Sequence, residues 1–154
     1  MDFDQSGKVE EIGRNTILCV SNGKWKAIII KSSDKKKLKM YFNKLNMPRN
    51  YVLFVFCAGI AILFSDTNHR DIVVIDEEYT GKNNIIKNLL IEMMGNKLPE
   101  IRFGRIGKKS MAHCRAYGVA TGKIKRDVNV KVVSLGDVFG QIKKTKAFLK
   151  LSNA

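Results

Sequence analysis

The stretch of residues 71–118 constrains the fold of this chain more than any other. Residues 72–75 are an apolar, β-branched run that leads directly into an acidic triplet at 76–78. Apolar residues then recur at helical spacing over residues 85–94, and a second short apolar segment follows at 101–103. A strand, a helix and a second strand in this order are typical of α/β domains, in which helices cover a sheet.

A β-hairpin and a helix are predicted before this stretch. Residues 16–20 and 24–31 are apolar or β-branched runs on either side of an Asn22-Gly23 pair, which favours a tight hairpin turn. Residues 32–34 supply Ser and Asp side chains that can cap a helix, and apolar residues follow them at helical spacing.

Residues 51–64 form the longest apolar run of the chain. Because the run is rich in β-branched and aromatic residues, we expect two strands, or one bent strand, in the middle of the sheet. Residues 128–133 alternate and predict a last strand, which is followed by a brief helix through Ile142. The sequence therefore predicts an α/β fold, a single domain with a mixed β-sheet flanked by helices.

The predicted domain occupies residues 14–142. Residues 1–13 lack periodicity and carry acidic side chains, so we interpret them as a flexible leader or an edge strand. Residues 143–154 are basic, and we expect a C-terminal tail or a docked helix there.

The charge of the chain is strongly positive and unevenly distributed. The formal net charge is +14, and residues 95–154 carry 14 Lys and Arg against 3 Asp and Glu. A polyanion such as DNA or RNA is the partner that this excess predicts, because neutralised phosphates release their counterions. The alternative is a generally lysine-rich surface, which would not explain the asymmetry.

The three cysteines and the apolar run indicate a cytoplasmic protein without a membrane partner. Cys19, Cys57 and Cys114 are odd in number and show neither disulfide nor zinc spacing, which fits a reducing cytoplasm. The run at 51–64 is shorter than the ~20 residues that span a bilayer. The oligomeric state stays open, and a homodimer is one of the options.

The acidic triplet is a candidate metal site. Side chains alternate along a strand, so Asp76 and Glu78 should project from one face and Glu77 from the other. Two carboxylates on one face can hold a hard cation such as Mg²⁺ or Mn²⁺. The alternative is a structural role, in which the acids cap the following helix or pair with lysines.

The loop at residues 104–110 is a candidate phosphate-binding element. Its two glycines allow backbone N–H groups to approach an anion, and Ser110 opens a helix whose N-terminal dipole favours phosphate. The alternative is an ordinary glycine turn with exposed lysines. The residues that we expect to contact nucleic acid are Arg102, Gly104, Arg105, Gly107, Lys108, Lys109, Ser110, Arg115 and Lys123.

His113 lies on the predicted small-residue helix that follows this loop. Alanines at positions 112, 116 and 120 would allow the helix to pack closely on the sheet. A histidine beside such a face is usually a satisfied helix residue, and its position one turn beyond the basic loop makes it a candidate catalytic residue.

Taken together, IVVIDEEY, EIRFGRIG and KKSMAHCRAYGVATG resemble the second half of the ribonuclease H-like fold, as found in Holliday-junction resolvases and related nucleases. The resemblance covers about residues 72–122. It implies a Mg²⁺- or Mn²⁺-dependent nuclease in which Asp76 or Glu78 is the strand acid and His113 is the helix ligand.

The chain departs from that family at the first strand, which normally supplies an essential Asp. Residues 16–22 offer only Ser21 and Asn22 there. Asp66, at the end of the apolar run, could substitute as a metal ligand if the strands are permuted. Otherwise the acid cluster is incomplete, and the alternative is a non-catalytic basic module that binds DNA or RNA.

Overall fold

The structure, a computed structural model, describes residues 1–65 and 71–153. Its strands are β1 (Asp2–Ser6), β2 (Thr16–Asn22), β3 (Lys24–Ile30), β4 (Val73–Asp76), β5 (Ile101–Gly104) and β6 (Val130–Val132). They form one sheet in the order β5-β4-β1-β2-β3-β6. The antiparallel meander β1-β2-β3 is flanked by strands that run parallel to their neighbours, so the sheet is mixed.

Helices cover both faces of the sheet. They are α1 (Ser32–Lys44), α2 (Tyr51–Phe64), α3 (Asn83–Met94), α4 (Met111–Ala120), α5 (Leu135–Ile142) and α6 (Lys146–Ser152), with a short 3-10 turn at Gly95–Lys97. α4 packs on β1, β2 and β3 from one side. α2 packs on β2 and β3 from the other side, where it also contacts α1, α3 and α5. The predicted single-domain α/β fold with a mixed sheet and flanking helices is confirmed.

β1 overturns the prediction of a flexible leader at residues 1–13. Asp2–Ser6 is a central strand, antiparallel to β2 and parallel to β4. The N-terminal ammonium group donates a hydrogen bond to the Ile72 carbonyl at 3.0 Å. The sequence of β1 is polar apart from Phe3, although Asp4 and Gln5 are buried in the sheet. An apolar-run criterion misses such a strand.

α2 overturns the prediction of strands at residues 51–64. All of its residues except Val52 and Leu53 are buried, so both sheet-facing and helix-facing positions are apolar and no periodicity is visible. Gly59 sits against Leu18, where a Cβ would collide with the leucine side chain. Close helix-to-sheet packing therefore overrides the β propensity of the run.

Several local predictions are confirmed. β2 and β3 form the hairpin about Gly23, which adopts φ +72°. α1 begins at Ser32, within the predicted segment, but the predicted capping is wrong: the N-cap residue is Lys31, no side chain caps the helix, and the Ser32 backbone N–H instead donates to Asn15 Oδ1 at 2.9 Å. α6 docks through Phe148, which is buried in the main core.

None of the helices in the described residues has both the length and the apolar character that a bilayer crossing needs. The cytoplasmic location and the oligomeric state stay predictions.

Candidate metal centre

Three carboxylates, from two adjacent strands and the loop that follows one of them, converge on one site. β1 and β4 run parallel with Phe3 opposite Ile75, so the next pair along the two strands is Asp4 and Asp76. Glu78 follows β4 by two residues. One carboxylate oxygen each from Asp4, Asp76 and Glu78 lies within 4.8 Å of the others.

Asp4 is the buried member of this acidic triad. Its side chain is 4% exposed. The Gln5 backbone N–H donates to its Oδ1 at 2.7 Å, and His113 Nδ1 lies 2.7 Å from its Oδ2. Burial raises the pKa of Asp4, against the lowering effect of these two hydrogen bonds, and the nearby charge of Asp76 raises it further. A cation at the triad would favour the ionised form of this carboxyl group.

The other two carboxylates have partners from neighbouring loops. Asp76 Oδ1 accepts a hydrogen bond from the Ile106 backbone N–H at 2.7 Å. Glu78 Oε2 lies 3.2 Å from Lys8 Nζ, in the loop after β1. Glu77 points elsewhere and accepts a hydrogen bond from Asn83 Nδ2 at 3.0 Å. The predicted alternation, with Asp76 and Glu78 together and Glu77 apart, matches this arrangement.

His113 reaches Asp4 from the first turn of α4. Ser110 caps that helix, since its side-chain oxygen accepts a hydrogen bond from the His113 backbone N–H at 3.2 Å. Ala112 and Ala116 are buried and bring α4 close to the sheet. An ionised carboxylate can only accept, so when Asp4 is ionised the ring Nδ1 is the donor of this hydrogen bond.

Cys19 faces the same side of the sheet, opposite Asp4 in the pairing of β1 with β2. Burial, and secondarily the charge of Asp4, raises the pKa of its thiol to about 12. The thiol therefore stays protonated at neutral pH and does not provide a thiolate ligand or nucleophile.

The donor set fits a hard divalent cation. Each carboxylate has about four lone-pair sites, so the bonds to Gln5, His113, Ile106 and Lys8 leave acceptor capacity at the triad. Oxygen donors of this kind suit Mg²⁺ and Mn²⁺.

The structure groups the predicted metal ligands differently from the sequence-based expectation. Asp76 and Glu78 come together as expected, whereas Asp66 lies outside the described residues. The third carboxylate of the site is Asp4, which lies on β1 in the segment that we interpreted as a leader. Its signal was the alternation of Asp2, Phe3 and Asp4, with a large apolar side chain between two acids.

The loop at residues 104–110 lies beside the acidic triad, because the Ile106 backbone N–H in this loop donates a hydrogen bond to Asp76 Oδ1. One of its backbone N–H groups is therefore engaged by the protein's own carboxylate. Arg105, Lys108 and Lys109 are exposed, and the described residues include no ion-pair partner for them. Arg102, by contrast, pairs with Glu100 at 2.9 Å.

The remaining predicted contact residues have diverse surroundings. Gly104 ends β5 opposite Asp76, and a Cβ at Gly107 would meet no neighbouring atom within 4 Å. The Arg115 guanidinium lies 5.3 Å from the centre of the Trp25 ring. Lys123 Nζ lies 5.7 Å from the centre of the Tyr117 ring. Both cations thus sit on aromatic faces on the α4 side of the sheet.

Comparisons with protein-family models, with curated proteins and with solved structures found no match to this chain.

Proposed function

We propose that this protein is a ribonuclease H-like nuclease that cleaves phosphodiesters of DNA or RNA with Mg²⁺ or Mn²⁺. The observation that carries the proposal is the convergence of Asp4, Asp76 and Glu78, each offering a carboxylate oxygen within 4.8 Å of the others. Hard oxygen donors at this spacing suit a divalent cation.

The positions of the acids support the family resemblance. The family places an essential Asp on its first strand, and Asp4 occupies the first strand here. A strand acid follows at Asp76, and the small-residue helix α4 brings His113 to Asp4. The sequence lacked a first-strand Asp only because residues 16–22, which form β2, were taken as the first strand.

A divalent cation bound at these carboxylates would lower the pKa of a coordinated water and neutralise charge developing on the phosphodiester. The chain's own residues hold and orient the ligands. The Gln5 backbone N–H and His113 fix the two oxygens of Asp4, and Ile106 fixes Asp76. His113 acts here as a positioning residue, because its contact is with Asp4.

The exposed cations beside the site support a polyanionic substrate. The loop that follows β5 contacts Asp76 and carries Arg105, Lys108 and Lys109. A nucleic-acid strand that lies across the triad would therefore pass these side chains. Their charge attracts phosphates, and it offsets the repulsion between a nucleic acid and three carboxylates.

Metal binding and cleavage test this proposal together. We expect wild-type protein to bind Mn²⁺ in calorimetry and to cleave labelled DNA or RNA only when Mg²⁺ or Mn²⁺ is present. Asp4→Asn should weaken Mn²⁺ binding by about 100-fold or more, because changes outside the ligand shell alone cost about 10–100-fold. Asp127→Asn is the matched control, since Asp127 is an exposed acid outside the triad. Equal Mn²⁺ affinity of Asp4→Asn and wild type would refute the site.

A non-catalytic nucleic-acid-binding module is the second candidate. The observation that favours it is the pairing of the acids with the protein's own groups, Lys8 with Glu78 and His113 with Asp4. It predicts nucleic-acid binding that does not depend on metal and no cleavage of the bound nucleic acid.

Both candidate functions predict that the double variant Lys108→Gln with Lys109→Gln reduces the salt dependence of duplex binding. The slope of log affinity against log salt concentration should fall by about 0.9 for each phosphate that the protein no longer neutralises.

A further inference from the structure

A cavity of about 550 Å³ opens on the same face of the sheet as the acidic triad. Its floor includes Ile17 and Ile29, which face each other across β2 and β3. Ile17 lies two residues along β2 from Cys19, the pairing partner of Asp4. Two residues of a strand span about 7 Å, so the cavity is adjacent to the proposed metal centre.

The wall of the cavity depends on a close contact at the end of α4. A Cβ on Gly118 would lie 2.5 Å from Ile124 Cδ1, so a larger residue at position 118 would force the Ile124 side chain to move. The Ile124 backbone N–H donates to the Gly118 carbonyl at 3.0 Å, which turns the chain back over the sheet. This turn places Lys125 and Arg126 at the cavity.

The cavity combines a cationic rim with an apolar floor. Arg14, Lys125 and Arg126 line it, and none of the residues that line it is acidic. Arg14 has a partner in Glu11 at 3.5 Å, whereas the described residues include no ion-pair partner for Lys125 or Arg126. The floor and wall are formed by Ile17, Ile29, Val119 and Ile124. The rim suits a phosphate and the floor suits a sugar or base.

We propose that this cavity binds an unpaired nucleotide of the nucleic acid whose backbone crosses the acidic triad. The inference rests on the proposed function and adds a preference for single-stranded segments. A duplex presents its phosphates while its bases stay stacked inside, so it could use the rim but not the apolar floor. An unpaired nucleotide can use both, because its base is free to leave the stack and contact the apolar floor while its phosphate contacts the cationic rim.

Fluorescence anisotropy with a labelled thymidine oligonucleotide and a blunt duplex tests the cavity, with EDTA present to prevent cleavage. Ala120→Trp would fill the cavity from its exposed wall residue without changing charge. We expect this variant to bind the oligonucleotide about tenfold more weakly, as expected when one base can no longer bind, and the duplex less than about twofold more weakly. Lys125→Gln with Arg126→Gln should also weaken oligonucleotide binding more than duplex binding.

Lys36→Gln with Lys37→Gln is the matched charge control, because both lysines are exposed on α1, on the opposite face of the sheet. It should affect the two probes equally. A folded Ala120→Trp protein that binds the oligonucleotide like wild type would overturn the cavity assignment. If that variant does not fold, equal losses for both probes in the Lys125 and Arg126 double variant would overturn it. Selective binding that persists without Mn²⁺ binding at the triad would support the cavity and refute the cleavage proposal.

Discussion

The two faces of the sheet differ in what their side chains do. The face that carries α2 belongs to one large apolar cluster, to which α1, α3, α5 and α6 also contribute. The face that carries α4 has a small cluster, made of Ile17, Cys19, Ala27, Ile29, Ala116 and Val119. Asp4, His113 and the basic cavity all lie on this second face. Apolar burial is thus concentrated opposite the proposed site.

The difference follows from the size of the side chains on the covering helix. α2 presents Phe54, Val55 and Ile62 among other large residues, and nearly all of its side chains are buried against the sheet and the neighbouring helices. α4 presents Ala112, Ala116 and Gly118, which allow a close approach but bury little apolar area. A buried carboxylate costs free energy. The large cluster on the opposite face offsets that cost and leaves the α4 face free for polar groups.

The largest expected effect is on stability, from truncation of Phe42 in the large cluster. Phe42 is fully buried, with its ring centre 5.5 Å from that of Phe54. We expect Phe42→Ala to lower the free energy of unfolding by about 3–5 kcal/mol, because it removes apolar contacts and leaves a cavity. Urea denaturation measures this change. Mn²⁺ affinity of the folded protein should stay within about twofold of wild type.

The matched change on the α4 face is Tyr117→Ala. Tyr117 is 52% exposed, so its truncation should change stability by less than about 0.5 kcal/mol. Comparable losses from the two variants would show that the faces do not divide their roles in this way.

A smaller, pH-dependent effect is expected from Lys35, which anchors the loop between β1 and β2. Its ammonium group is buried and donates to the carbonyls of Lys8 and Glu11 and to Thr16 Oγ1. Burial lowers the pKa of Lys35 to about 8. Between about pH 8 and 10 the unfolded chain therefore binds more protons than the folded protein, so this group's contribution to stability rises with pH.

Comparison with Lys35→Met isolates that contribution. The stability of wild type relative to the variant should increase by about 2 kcal/mol between pH 8 and 10. Urea titrations at several pH values provide the measurement. A constant difference across that range would mean that Lys35 titrates normally despite its burial.

The smallest expected effect is at the edge of the metal centre. The ion pair of Lys8 with Glu78 is partly exposed, and such pairs contribute about 0.2–1 kcal/mol. Because Lys8 competes with a cation for Glu78, Lys8→Gln should strengthen Mn²⁺ binding by up to about fivefold, with little change in stability. Calorimetry at constant ionic strength measures the change. Weaker Mn²⁺ binding would instead assign Lys8 a supporting role at the site.

The candidate site was only partly predictable from sequence. Asp76 and Glu78 were identifiable because strand alternation is local, and Ser110 was identifiable because helix capping depends on adjacent residues. Asp4 was missed because its strand is short and polar, and it is stabilised by β2 and β4 on either side. The nucleic-acid contacts of the loop at residues 104–110 stay predictions.

The sequence by itself determined the hairpin, the Ser110 cap of α4, the class of fold and the excess of positive charge. These properties depend on neighbouring residues or on composition, so they can be read without knowing how the chain folds. Only the tertiary structure decided that residues 51–64 form a helix and that residues 2–6 form a central strand. It also brought Asp4 to Asp76 and Glu78, more than 70 positions away. Burial and strand pairing connect residues that are distant in sequence, so no local pattern records them.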